Sequence, residues 1–61
     1  MSEIPPEDVA FNLRFRAAVQ EHNARTATSP AMRARHQSNA KRLLIQADLI
    51  DQGVPVDRLL K

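Results

Sequence analysis

The stretch "TATSPAMRARHQ", residues 26–37, decides the fold, because it holds both a break in the chain and the start of a helix. A serine side chain accepts a free amide hydrogen bond at a helix start, and proline fits the first helical position, so Ser29-Pro30 reads as that start. The connection is short enough that the segment before it must fold back antiparallel to the new helix. One feature runs against local preference. Arg33 and Arg35 fall near the positive end of the new helix's dipole, where a cation is unfavourable by about 0.3–1 kcal/mol.

Working outward, Gly and Pro punctuate the chain at "IPPED" near its start and "QGVP" near its end. The two intervening segments are rich in Ala, Leu, Arg, Gln and Glu, which favour helix, and show no strand-like alternation. Helix one is predicted from about Pro6 to Ala27, with its prolines and the acids Glu7 and Asp8 in the first turn. The turn is 28–29. Helix two is predicted from Pro30 to about Gln52, with Gly53 as the left-handed residue past its end and Pro55 preventing continuation. The tail 53–61 ends in "VPVDRLLK", which suits one more helical turn with Leu59 and Leu60 as an apolar hook. The fold class is all-α: one domain, 1–61, a two-helix hairpin.

At 61 residues without cysteine, the chain buries a small core and has neither disulfides nor thiolate zinc sites to support it, which leaves a partner subunit as the expected support. The apolar run Leu43-Leu44-Ile45 is far too short to cross a bilayer. The terminus "MSEIPPED" is acidic and Pro-broken, the reverse of a signal peptide. These features point to a cytoplasmic protein that is not held in a membrane.

Pairing across the turn sets residues together whose numbers add to about 58. The inner seam is then expected to join Phe11, Phe15, Ala18, Val19 and His22 of helix one to Met32, His36, Ala40, Leu43, Ala47 and Ile50 of helix two. A second stripe, Val9, Leu13, Ala17 and Ala24 with Ala31, Ala34, Ser38, Ile45 and Leu49, lies on the far side of each helix. Two helices cannot bury two opposed stripes each. Leaving large apolar side chains in water forgoes roughly 1.5–3 kcal/mol per residue, so these residues are expected to form the interface of a homodimer, closing a four-helix bundle.

This layout of two long helices, a tight turn and a tail resembles the Rop family, small plasmid proteins whose hairpins dimerise into a four-helix bundle and bind paired RNA loops. The likeness spans the architecture of nearly the whole chain and carries no residue role. By size and shape alone the chain also resembles small phage and plasmid regulators that block a host protein.

The formal net charge is +2, but it is unevenly placed. Between Gln20 and Arg42, Arg25, Arg33, Arg35, Lys41 and Arg42 face Glu21 alone, while each flank nets one negative charge. The pairing rule sets Arg25 opposite Arg33 and Arg16 opposite Arg42. Like charges set together without structural gain tend to mark functional surface, so Arg25, Arg33, Arg35, Lys41 and Arg42 are the expected partner-binding residues.

No catalytic, metal or cofactor motif is present. His22 and His36 are expected as neighbours in the seam, with no carboxylate or thiol to complete a metal site; Ser29 is explained as a cap; Asp48, Asp51 and Asp57 read as solvated surface or as partners of Arg14, Arg16 and Arg58. An enzyme and a small-molecule substrate are therefore not expected. The first expectation is a small regulatory or inhibitory protein that meets an acidic protein partner through its basic tip and apolar flank. The alternative is a nucleic-acid-binding regulator, since Arg33, Arg35, Gln37 and Asn39 are residue types that contact phosphates and base edges. Against it stand the length of helix two, the lack of a third recognition helix, and the assignment of both phenylalanines to the seam, which leaves no stacking platform.

Overall fold

The computed structural model describes residues 4–59. Within them the chain forms α1 (Pro6–Thr26), α2 (Pro30–Asp51) and a single turn, α3 (Val56–Leu59), with no strand. The first two pack against each other along their length as an antiparallel hairpin. The molecule is elongated, 42 × 17 × 17 Å between its outermost Cα positions, and each long helix keeps a row of exposed residues on the side away from its neighbour.

Each boundary has a local cause. At the start of α1, Pro6 occupies the first turn and the Pro5 carbonyl accepts the amides of Asp8 and Val9 at 3.0 and 3.2 Å. The Ser29 hydroxyl accepts the Met32 amide at 3.3 Å and caps α2. At the far end, the Gly53 amide bonds the Ile50 carbonyl and the Val54 amide bonds the Leu49 carbonyl, each at 3.0 Å. That pair of bonds is the Schellman closure, and it requires a left-handed residue; Gly53 supplies it at φ 101°.

The unfavourable arginine near the start of α2 finds its explanation across the turn. The Arg33 guanidinium donates to the Ala27 carbonyl at 3.4 Å, at the C-terminal end of α1. Folding back places the positive end of one dipole beside the negative end of the other. Arg33 serves the helix it faces across the hairpin, not the one that carries it.

The seam is built on alanine. Ala10, Ala17 and Ala24 recur every seven residues on α1, as Ala40 and Ala47 do on α2, and all five are buried. Leu13 joins Ala10, Ala47 and Ile50 in one cluster, against which Val9, Leu43, Val56 and Leu59 pack. The tail thus closes one end of the hairpin through Val56 and Leu59, while Leu60 lies outside the described residues.

This seam corrects the expected one on α1. Phe11, Phe15, Ala18, Val19 and His22 are exposed, and Leu13, Ala17 and Ala24, expected in an interface between copies, are buried in the hairpin's own seam with Val9 half-buried beside them. On α2 the expected residues Ala40, Ala47 and Ile50 are buried and Leu43 and His36 half-buried, but Met32 is exposed. Both α1 stripes have helical spacing. The difference is volume: alanines at heptad spacing on both rods let the backbones approach closely along the whole contact, whereas a Phe stripe would hold the axes apart. The rest of the expected interface, Ala31, Ala34, Ser38 and Ile45, is exposed on α2, and Leu49 is half-buried.

Candidate functional site

The two flanks of the hairpin differ in charge. On one lies a groove of about 380 Å3 lined by Leu13, Arg16 and Gln20 of α1, Asn39, Arg42, Leu43 and Gln46 of α2, and Leu59 of α3. Three leucines supply its apolar part, and two guanidiniums and three carboxamides supply its polar part. Among the described residues no carboxylate lines it, and neither arginine forms an ion pair. Arg35 stands four residues before Asn39 and seven before Arg42, so helical spacing carries the same cationic face toward the turn.

The opposite flank neutralises itself. Arg14 reaches across the hairpin to Asp48 at 3.1 Å and to Asp51, and hydrogen bonds to Asp51 and then Asp48 hold its guanidinium above the ordinary arginine value. Glu21, seven residues along from Arg14, shares that flank. There it lines a second groove, of about 570 Å3, with Ala24, Arg25, Arg33 and Gln37.

The five basic residues expected to form one contact surface are therefore divided. Arg25 and Arg33 meet at the tip, as the pairing rule requires, with Glu21 beside them and Arg33 engaged with Ala27. Arg42 meets Arg16 in the acid-free groove, again as paired. Arg35 continues that face; Lys41 is exposed and lines neither groove.

Sequence reasoning named Asn39 as a candidate nucleic-acid contact but missed the carboxamides Gln20 and Gln46, which share one groove with it and with Arg16. The signal was present in the Arg16–Arg42 pairing. It was obscured because an aromatic seam on α1 turns Gln20 away from α2. In the structure Gln20 is half-buried, and its Oε1 lies 2.7 Å from His36 Nδ1. His22, two residues further along α1, points to the exposed side instead of opposing His36, and the Thr26 hydroxyl donates to its carbonyl at 3.2 Å.

Freed from the seam, the large apolar residues of α1 form an outer stripe. Phe11 is 72% exposed, Phe15 61% and Val19 44%. Among the described residues no group of three or more His, Cys, Asp or Glu could hold a metal ion, and no helix is long and apolar enough to cross a membrane. Comparison with known protein families, curated proteins and solved structures returns no match.

Proposed function

We propose that this chain is a small non-enzymatic regulatory protein that binds nucleic acid through the face carrying Arg16, Arg35 and Arg42. The observation that carries the reading is the separation of charge: cations and amides without a carboxylate on one groove, ion pairs on the opposite flank. Guanidiniums grip phosphate oxygens bidentately, and Asn and Gln suit sugars and base edges.

Fluorescence anisotropy with a labelled RNA stem-loop and a labelled DNA duplex, across a salt series, tests the reading. Neutralising about three phosphates gives a slope of log K against log salt of roughly −2 to −3. Absence of binding to both probes at low salt overturns it. The second reading is an acidic protein partner, favoured by the tip groove, where Arg25 and Arg33 flank the apolar Ala24. It predicts binding with a shallower salt dependence.

A further inference from the structure

We infer that the outer stripe of α1 is covered by a second copy of this chain, running antiparallel, in the register that sets Asp8 of each copy against Arg25 of the other. This surface is distinct from the groove and from the stripe expected to bind a second copy on sequence grounds, most of whose α1 part the hairpin itself buries.

Three observations converge on a self-complementary occupant. The stripe is strongly apolar at its centre, with Phe11, Phe15 and Val19 exposed, and exposed apolar patches on small chains mark association surfaces. Its ends carry opposite charges: Glu7 and Asp8 stand in the first turn of α1 and Arg25 in the last. Neither Asp8 nor Arg25 forms an ion pair among the described residues. An antiparallel copy is the partner that meets an acidic start with a basic end at both extremities, because a two-fold interface repeats each contact.

The same register brings Phe15 level with Ala18 of the other copy and Phe11 level with His22. A large side chain then faces a small one across the centre, as close helix packing requires. From Asp8 to Arg25 the stripe is about 26 Å long at 1.5 Å per residue. One helix pair of that length is at the small end of association interfaces, so the dimer is expected to dissociate at roughly micromolar concentration.

The arrangement has a consequence for the groove. The two-fold axis relating antiparallel neighbours stands perpendicular to the plane of the helices, so matching flanks of the two copies lie on the same side. Both cationic faces then border the central pair of α1 helices on one surface, and both ion-paired flanks lie on the other. The placement follows from the dimer's symmetry alone; its use in binding nucleic acid rests on the proposed function.

Sedimentation equilibrium of the full chain from about 5 to 500 micromolar reads the monomer–dimer balance directly. Wild type is expected to dimerise, and Phe15→Glu to weaken the dimer by roughly tenfold or more with helicity by circular dichroism unchanged, because Phe15 lies outside its own hairpin's seam. Asp8→Arg and Arg25→Asp are each expected to weaken association and, combined, to restore it. A wild type that stays monomeric throughout, or a dimer indifferent to Phe15→Glu, overturns the inference; failure of the double swap to restore association overturns the antiparallel register. A monomer that binds nucleic acid would remove the dimer and keep the function, and a dimer that binds none would do the reverse.

Discussion

His36 Nδ1 lies 2.7 Å from Gln20 Oε1, a polar pair joining α1 to α2 along a seam of buried alanines. With Gln20 Oε1 as the acceptor, His36 Nδ1 donates the bond. A polar contact inside an apolar seam favours one register over its neighbours, since any slip leaves both groups half-buried and unsatisfied.

Gln20→Ala is therefore expected to lower stability by about 1 kcal/mol, which corresponds to a fall of roughly 4–8 °C in melting temperature for a chain of this size. Replacing both partners, Gln20→Leu with His36→Leu, is expected to recover most of that loss, because no polar group is then left unsatisfied. Thermal melts followed by circular dichroism decide it, and a double variant less stable than Gln20→Ala would contradict the role of this pair.

The alanine seam makes a second, steeper prediction. Ala17 is fully buried, so Ala17→Leu inserts volume where the backbones approach closely and is expected to destabilise by about 1–3 kcal/mol. Ala34→Leu, on an exposed part of α2, is expected to stay within about 0.5 kcal/mol of wild type. Equal urea midpoints for the two would show that the seam lies elsewhere.

Ser29 holds the start of α2 through its bond from the Met32 amide. Loss of that acceptor in Ser29→Ala is expected to cost about 1 kcal/mol; Ser29→Asp should retain the cap and add a carboxylate suited to the dipole. Comparing their melts isolates the cap from the Pro30 effect, and a Ser29→Ala melt identical to wild type would show that the cap contributes nothing.

For the groove, Arg16→Gln with Arg42→Gln is expected to leave the fold intact, since neither arginine is ion-paired among the described residues. Removing each phosphate-binding cation should reduce the salt slope by about 0.9. Arg14→Gln, on the ion-paired flank, is the control for loss of a single arginine, to be set against Arg16→Gln alone, and should leave that slope unchanged. A control variant that weakens binding as much as the groove variant would move the contact surface to the other side of the hairpin.

Local chemistry by itself determined the elements. Ser29-Pro30 and Gly53 are caps and stops that act within a few residues, and the structure places α1, α2 and the final turn within a residue or two of the positions they predict. The antiparallel pairing also comes from the chain alone, because three residues between helices permit no other return, and it brought Arg16 to Arg42 and Arg25 to Arg33. Which side of α1 turns inward was a tertiary decision. Two stripes on the helix satisfy the same periodicity, and hydrophobicity alone favours the phenylalanines; the choice falls to the stripe in which Ala10, Ala17 and Ala24 leave room for Leu13 and Ile50 to fit between the two rods. That rotation put Gln20 beside His36, gathered the amides around two guanidiniums outside any ion pair among the described residues, and left Phe11 and Phe15 facing outward.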